Sequence, residues 1–463
     1  MADQAVTAQG AARAVSPAQG AARALVLGFG VSNQAVARHL LVRGTSVSLV
    51  DDAPTDDVRA AAAALGLDLV EHPDLTTLAD MVVRSDLVVP SPGVPAAHPV
   101  YRLAKGAGIP VRGEVELAFR WSICPLVAVT GTNGKTTVTT LVAEMLTASG
   151  VPALAAGNIG LPLSDAVGND DVKVVVAEVS SFQLAFADSF RPMVAVWLNV
   201  APDHLDWHGG MDAYVAAKAR IWARQGPADV AVVNADDPIV MAQAASAPSR
   251  LLTFGLGSPS ADYRVEDGWL RGPGGRLVEA TRLPRSMPHD VANALAASAA
   301  ALAAGATADG VRAALVAHAP LPHRLTLVAY SGGVRWYDDS KATNPHAAAA
   351  AVSSFDSVVL IAGGRNKGLD LSELAQAAGP IRAVVAIGEA APEVQAAFEG
   401  VRPVAHATTM DEAVAAAAAL ARTGDVVLLS PGCASFDWYR SYAERGDDFA
   451  RAVHALLEAP HAD

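Results

Sequence analysis

The sequence predicts an α/β protein of three domains, each built on a mostly parallel sheet covered by helices. From Ala24 onward, short runs rich in Val and Leu alternate with longer Ala-rich stretches. This alternation is typical of parallel strands that are joined by helices. The length of 463 residues also allows about three domains of ~150 residues, each with its own core.

Composition and charge exclude several classes of protein. A net charge of −13 argues against a general binder of nucleic acid or anionic membranes, because the surfaces of such proteins are basic. No apolar run reaches the ~18 residues of a membrane span, and the first residues lack the hydrophobic block of a signal peptide. The only cysteines, Cys124 and Cys433, exclude a multi-cysteine zinc module. We therefore expect a cytoplasmic monomer that does not insert into membranes.

The first domain is predicted at residues 24–112, after a tail at residues 1–23 that is rich in Ala, Gln and Gly. We expect the tail to be disordered, with an Ala-rich helix as the alternative. The domain opens with a strand at residues 24–27, a Gly-Phe-Gly turn, a helix at 33–42 and a strand at 47–50. This order is Rossmann-like, although Asn33 stands at the third glycine position of the dinucleotide fingerprint. A purely structural turn therefore remains an alternative.

The second domain, predicted at residues 113–320, contains the most informative motif. A short apolar strand runs into Thr130-Gly131-Thr132-Asn133-Gly134-Lys135-Thr136-Thr137, and a helix-forming stretch follows at residues 138–148. Glycines let backbone N–H groups approach phosphate oxygens, the lysine neutralises phosphate charge, and a threonine hydroxyl can hold Mg²⁺. Val129 replaces the first glycine of the usual P-loop pattern. The motif predicts a P-loop-type domain that binds a nucleoside triphosphate.

Two later strands, predicted at residues 172–178 and 193–199, end in polar residues on the same sheet edge as this loop. Glu178 closes the first strand, where a carboxylate suits Mg²⁺; an acidic helix cap is the alternative. The second strand leads into a run that contains Asp203 and His204. That run indicates either a metal site or a polar loop with capping aspartates. Lys218 lies in a helix predicted at residues 211–223, and physical grounds alone predict only a solvated surface charge for it.

The third domain is predicted at residues 321–463, after a proline-rich boundary at residues 319–322. New alternation of strands and helices starts there. Strands are predicted at residues 335–337, 358–362, 383–387 and 426–429.

Several motifs together resemble the ATP-dependent Mur ligases of peptidoglycan precursor synthesis, and the resemblance spans almost everything after the tail. The motifs are Gly131 to Thr136, Gly157-Asn158-Ile159-Gly160, Glu178 to Gln183, Asn199 to His204 and Ala217-Lys218-Ala219-Arg220. The resemblance implies that ATP activates a carboxylate as an acyl phosphate, which an amino-acid amine then attacks. It also implies a Rossmann-like third domain.

By this resemblance, the catalytic residues are Lys135, Glu178, His204 and Lys218. Lys218 matches the family's carbamylated lysine, so the implied Mg²⁺ ligands are Thr136, Glu178, His204 and carbamylated Lys218. Arg324, next to His323, matches an arginine that approaches the ATP phosphates, while Asp290 stands where an asparagine is more familiar beside the adenine. The implied ATP-binding residues are Gly131, Thr132, Asn133, Gly134, Lys135, Thr136, Thr137, Asn293, Arg324 and Asp339.

The third domain resembles that of the D-glutamate-adding members of the family. The supporting motifs are Tyr337 to Pro345, Gly363 to Lys367 and Leu429 to Asp437. The resemblance implies that Lys367, Ser435 and Tyr442 bind D-glutamate. Tyr442 stands where the family has a phenylalanine, so its contact with the amino acid is expected through the backbone or the ring.

The first domain, by the same resemblance, binds the uridine diphosphate end of UDP-N-acetylmuramoyl-L-alanine rather than a dinucleotide. The implied contacts are Val31, Ser32, Asp51, Asp52, Ser91, Gly93 and, in the second domain, Asn158.

Two other functions stay open at this point. A related ligase, such as the L-alanine-adding enzyme or a polyglutamate synthase, shares the central domain but differs in the motif at residues 337–345. A non-catalytic nucleotide switch needs the phosphate loop but has no use for Glu178, His204 and Lys218 together.

Overall fold

The computed structural model describes residues 21–458, so residues 1–20 of the predicted tail lie outside the described part of the chain. The predicted α/β fold is confirmed, with three large sheets that follow one another along the chain. Within the described residues, no helix is long and apolar enough to cross a bilayer.

The first sheet has four parallel strands in the order β3-β2-β1-β4. Its strands are β1 (Arg23–Leu27), β2 (Ser46–Asp51), β3 (Leu69–Glu71) and β4 (Leu87–Pro90). The helices are α1 (Val31–Val42), α2 (Asp56–Ala64), α3 (Leu75–Val83) and α4 (Pro99–Ala107). Asn33 explains the missing third glycine, because its buried amide donates to the carbonyls of Leu27, Gly28 and Val89 and so ties the turn to two strands.

The central sheet has six parallel strands in the order β10-β9-β8-β5-β7-β6. Its strands are β5 (Leu126–Thr130), β6 (Ala153–Gly157), β7 (Val174–Glu178), β8 (Val194–Trp197), β9 (Val230–Asn234) and β10 (Arg250–Phe254). Strands β5, β7 and β8 are fully buried and β9 is buried up to its last residue, as expected of parallel strands covered on both faces. The edge strands β6 and β10 are only partly buried. The chain order changes direction at β5, and ligands of open α/β sheets bind at such a point.

Helices cover both faces of the central sheet. They are α5 (Glu114–Trp121), α6 (Lys135–Ala148), α7 (Leu163–Ala166), α8 (Ser181–Ala185), α9 (Leu205–His208), α10 (Met211–Ala219), α11 (Pro238–Ala244), α12 (Pro288–Ala303) and α13 (Ala308–Ala317). A small antiparallel sheet and a 3₁₀ turn precede α12. These are β11 (Arg264–Glu266), β12 (Trp269–Gly272), β13 (Gly275–Glu279) and the 3₁₀ turn Ala280–Arg282.

The third sheet has the order β14-β15-β19-β16-β17-β18, in which only β14 is antiparallel to its neighbour. Its strands are β14 (Thr326–Ser331), β15 (Val334–Asp338), β16 (Val358–Gly363), β17 (Ile381–Ile387), β18 (Val404–His406) and β19 (Val426–Gly432). Its helices are α14 (Pro345–Val352), α15 (Ser372–Gln376), α16 (Ala391–Phe398), α17 (Met410–Leu420) and α18 (Tyr442–Glu458).

Two predicted elements extend beyond the C-terminal ends of the observed ones. The helix predicted to reach residue 223 ends at Ala219, because the following turn buries both Ile221 and Trp222, the latter against Trp197 with ring centroids 5.1 Å apart. The strand predicted to reach residue 199 ends at Trp197, because the Asn199 side chain instead contacts the phosphate loop.

Glu116 is a buried carboxylate that holds the loop before β8. It accepts hydrogen bonds from the backbone N–H groups of residues 188–190 at 2.9 to 3.1 Å. It also accepts from the Ser189 hydroxyl at 2.6 Å and from the Arg120 guanidinium at 2.6 Å. Glu116 is fully buried, so removing it would leave several donors without a partner.

We expect Glu116→Ala to lower the free energy of unfolding by about 3 kcal/mol, because buried N–H groups lose their acceptor. Urea unfolding measures this loss, with Glu399→Ala as the control, since Glu399 is exposed. Equal stability of the two variants would contradict the structural role of Glu116.

Candidate functional site

The phosphate loop, residues 131–136, follows β5 and turns into α6. Gly134 adopts a φ of 84°, a left-handed conformation that favours glycine. A Cβ atom at this position would lie 2.5 Å from the Asn293 side-chain oxygen on α12. The second glycine of the motif is therefore required both by backbone conformation and by the close approach of Asn293.

Asn199, at the end of the neighbouring strand, holds the loop in shape. Its Oδ1 accepts the backbone N–H groups of Thr132 at 3.0 Å and Asn133 at 2.9 Å, and its Nδ2 donates to the Asn133 carbonyl at 3.1 Å. Thr132 adds a second tie, since its hydroxyl lies 3.0 Å from the hydroxyl of Tyr214 on α10. These hydrogen bonds connect the loop to the strand and the helix beside it.

Two lysines lie against the carbonyl groups of the loop. Lys135 Nζ donates to the carbonyls of Gly131 at 3.0 Å and Thr132 at 2.9 Å, and Lys218 Nζ donates to the Gly131 carbonyl at 2.8 Å. Burial lowers the pKa of Lys135. Burial, together with the nearby Lys135 ammonium, lowers the pKa of Lys218 well below its ordinary value. Lys218 is almost completely buried, so the solvated surface charge expected on physical grounds alone is not what the structure shows.

Glu178 ends β7 beside the loop, with one carboxylate oxygen unpaired. Its Oε1 accepts from Asn158 Nδ2 at 2.9 Å. Its Oε2 is buried and has no hydrogen-bond partner among residues 21–458. A buried carboxylate oxygen without a partner is costly, and a bound cation would remove that cost. Glu178 does not cap α8, because Ser180 is the N-cap residue of that helix.

His204 has a φ of 55° and lies at the start of α9, with its ring edge-on to Phe182 at 4.7 Å between centroids. Burial lowers its pKa to about 4, so the imidazole is neutral near pH 7 and one ring nitrogen can act as a ligand. The described part of the chain contains no group of three or more His, Cys, Asp or Glu residues that could hold a metal ion. The predicted set, Thr136, Glu178, His204 and Lys218, contains only two residues of those types.

Asp203 and Asn344 join the central and third domains and were not predicted as site residues. Asp203 Oδ1 accepts from Lys367 Nζ at 2.7 Å, while Asn344 Nδ2 lies 3.3 Å from Asp203 Oδ2 and 3.2 Å from Asn133 Oδ1. Asp203 lies in the run around His204 that indicates either a metal site or a polar loop. No sequence pattern indicates that Asp203 contacts Lys367. Lys367, which is predicted to bind D-glutamate, therefore pairs with Asp203 of the central domain across the domain boundary.

The other two predicted D-glutamate residues lie near a buried arginine. Arg445 donates to the carbonyls of Ser340, Cys433 and Ala434, and so holds the loop after β15 against the loop after β19. Ser435 is buried in the latter loop. The Tyr442 carbonyl accepts from the Ser340 hydroxyl at 2.7 Å, and its ring covers Lys341 Nζ at 3.6 Å. The contacts of Tyr442 thus use its backbone and ring.

A cavity beside α6 is lined by Thr137, Asp290 and Arg324, among others. Arg324 is partly buried, and burial lowers its pKa; no described residue accepts a hydrogen bond from its guanidinium. Asp339 accepts from Ser430 at 2.7 Å, and burial raises its pKa to about 7. Asp290 forms a two-pronged ion pair with Arg285.

The residues predicted to contact the uridine diphosphate lie around the turn after β1. Asp51 Oδ2 accepts the backbone N–H of Phe29 at 2.9 Å, and Asp52 lies 3.0 Å from His98. The remaining predicted residues of the first domain are Val31, Ser32, Ser91 and Gly93, of which Val31 and Gly93 are exposed. Trp207 of the central domain donates to the Val94 carbonyl at 3.0 Å, so this region adjoins the run that contains His204.

Family models match three consecutive parts of the chain. They are described as Mur ligase MurD-like N-terminal domain (residues 22–113), Mur ligase middle domain (129–301) and Mur ligase glutamate ligase domain (323–433). Together the matches include all three large sheets except the first three residues of β5.

Curated relatives cover nearly the whole chain. A UDP-N-acetylmuramoylalanine–D-glutamate ligase of Frankia casuarinae is 49% identical over 443 residues, which is 93% of each chain. A ligase of the same name from Pelotomaculum thermopropionicum is 43% identical over 94% of this chain and 98% of its own.

Solved structures with the same fold include a pseudomurein peptide ligase type C of Methanothermus fervidus (TM-score 0.61, 17% identity, 94% of this chain and 100% of that one). The UDP-N-acetylmuramate-alanine ligase of Thermotoga maritima is also similar (TM-score 0.58, 20% identity, 94% and 99% coverage). These low identities support the fold alone, whereas the family models and curated relatives support membership. The chain belongs to the Mur ligase family and is a ligase.

Proposed function

We propose that the protein joins D-glutamate to UDP-N-acetylmuramoyl-L-alanine in an ATP-dependent reaction of cytoplasmic peptidoglycan precursor synthesis. The alanyl carboxylate takes the γ-phosphoryl group of ATP and ADP leaves; the amine of D-glutamate then attacks the acyl phosphate and phosphate leaves. The observation that carries this proposal is the phosphate loop, which lies next to Glu178 and Lys218, while Lys367 of the third domain pairs with Asp203 of the central domain. The 49% identity to a D-glutamate ligase favours this amino acid.

In this proposal, the loop binds the ATP phosphates through its backbone N–H groups and the start of α6. Lys135 moves from the carbonyls of Gly131 and Thr132 to the phosphate oxygens, because an anion is a stronger partner for an ammonium than a carbonyl. Arg324, whose guanidinium has no acceptor in the described chain, supplies further positive charge during transfer.

We further propose that Mg²⁺ binds beside the loop. Thr136, Glu178, His204 and carbamylated Lys218 would hold it, and its charge would stabilise the phosphates during transfer. The unpaired Glu178 oxygen and the neutral His204 ring support this donor set. Burial also favours the neutral amine of Lys218, which is the form that reacts with CO₂ to give a carbamate.

The amino-acid site is proposed to consist of Lys367, Ser435 and Tyr442, with Tyr442 acting through its ring on Lys341. Lys367 pairs with Asp203 in this structure. A carboxylate of D-glutamate would therefore either bind the Lys367 ammonium together with Asp203 or take the place of Asp203. The uridine diphosphate end is proposed to bind Val31, Ser32, Asp51, Asp52, Ser91, Gly93 and Asn158. We also propose that the enzyme acts as a monomer.

Neither alternative accounts for the site as well. An L-alanine-adding enzyme or a polyglutamate synthase would share the loop, but the curated relatives named above are D-glutamate ligases over the full chain. A nucleotide switch would not need the buried lysine beside the loop or the lysine of the third domain that pairs with Asp203.

We expect the purified protein to release phosphate from ATP with UDP-N-acetylmuramoyl-L-alanine and D-glutamate, because both substrates are needed to complete the transfer. The assay compares D-glutamate with L-glutamate, L-alanine and diaminopimelate, and mass spectrometry identifies the amide product. Turnover with L-alanine or L-glutamate alone would contradict the D-glutamate assignment, and nucleotide binding without any amide would favour the switch.

We expect Lys218→Ala to reduce turnover by at least about a hundredfold, because the group that completes the proposed Mg²⁺ site is lost. Formate or acetate should restore part of the activity by supplying the missing carboxylate. Lys173→Ala is the matched control, since Lys173 is an exposed lysine of the same domain. Full activity of Lys218→Ala without added carboxylate would argue against a carbamate.

A further inference from the structure

Arg285 lies between the central and third domains, just after the 3₁₀ turn that precedes α12. Its guanidinium forms two hydrogen bonds of 2.6 Å to the two carboxylate oxygens of Asp290, in the first turn of α12. Its third nitrogen donates to the backbone carbonyl of Arg324 and, at 3.3 Å, to that of Leu325. One side chain thus connects the central domain to the start of the third domain.

The backbone that Arg285 reaches is strained. We name residues 323–325 the junction segment. His323 has a φ of 58° and Leu325 a φ of 49°, and residues other than glycine adopt such values only where their surroundings hold them. The third domain supplies part of that support, since His323 Nδ1 lies 2.6 Å from Asp338 Oδ2 and the Leu325 N–H donates to Asp339 Oδ1 at 3.3 Å.

From the central domain, Arg285 is the only described side chain that hydrogen-bonds to the backbone of the junction segment. The Arg324 side chain has no hydrogen-bond acceptor of its own among residues 21–458, so its position depends on the backbone that carries it. Arg324, Arg285 and Asp290 all line the same cavity beside α6. A shift of the junction segment would therefore move the Arg324 guanidinium within that cavity.

We propose that the ion pair between Arg285 and Asp290 holds the junction segment in place and thereby positions the Arg324 guanidinium toward the nucleotide phosphates. Asp290 acts through Arg285 and not on the adenine, because Arg285 engages both of its carboxylate oxygens. The ion pair is only partly exposed, with 19% and 11% of the two side chains accessible, and a bidentate geometry of this kind is directional. The orientation of Arg324 toward the phosphates rests on the proposed function, whereas the restraint of the junction segment by Arg285 does not.

The test uses the full-length variants Arg285→Ala, Asp290→Asn and the double variant, with Arg282→Ala as the control. Arg282 is exposed and lies three residues before Arg285. Asp290→Asn keeps the size of the side chain, so it still tests the ion pair if Arg285→Ala fails to fold. The measurements are kcat and the KM for ATP, and hydrogen–deuterium exchange of peptides covering residues 320–330 in the nucleotide-free protein.

We expect both single variants to lower kcat by about tenfold or more, with the KM for ATP changed by less than about twofold, because Arg324 is misplaced while the base still binds. Exchange at residues 320–330 should rise in both, and the double variant should be no worse than Arg285→Ala. Arg282→Ala should match the wild type.

A tenfold higher KM for ATP in Asp290→Asn, with kcat and exchange unchanged, would overturn the proposal in favour of direct contact between Asp290 and the base. Additive losses in the double variant would also overturn it. If the wild type forms no amide with D-glutamate, the proposed function fails, and the exchange experiment alone decides whether Arg285 and Asp290 restrain the junction segment.

Discussion

The site depends on one amide side chain, that of Asn199. It accepts the N–H groups of Thr132 and Asn133 and donates to the Asn133 carbonyl, so three hydrogen bonds set the path of the phosphate loop. The loop then runs directly into α6, and the first N–H groups of a helix have no partner within it, so they can donate to a bound anion. Because Asn199 follows the strand next to β5, the order of strands in the central sheet determines the shape of the loop.

Buried charge accumulates around that loop. Lys135 and Lys218 lie on its carbonyls, Glu178 keeps an unpaired oxygen beside it, and Asp203 pairs with Lys367 from the third domain. Burying such groups costs free energy unless they are paired. A ligand that brings both phosphates and a cation would pair them and so stabilise the protein. The same cost explains the lowered pKa of Lys135 and of Lys218.

Local patterns sufficed to predict the parallel sheets, the phosphate loop and the placement of Glu178 at a strand end, because each depends on residues close in sequence. The Asp203–Lys367 and Arg285–Arg324 contacts were not predicted, because they join positions that only the packing of two domains brings together. The helix after Met211 was predicted too long, because burial of Ile221 and Trp222 outweighs the helix propensity of the following residues.

The most direct test is a crystal structure with a non-hydrolysable ATP analogue and Mg²⁺. We predict that the β- and γ-phosphates contact the backbone N–H groups of residues 134–136, and that Lys135 Nζ leaves the carbonyls of Gly131 and Thr132 to bind phosphate oxygens. Phosphates bound elsewhere, with Lys135 still on both carbonyls, would contradict the assignment of this loop as the nucleotide site.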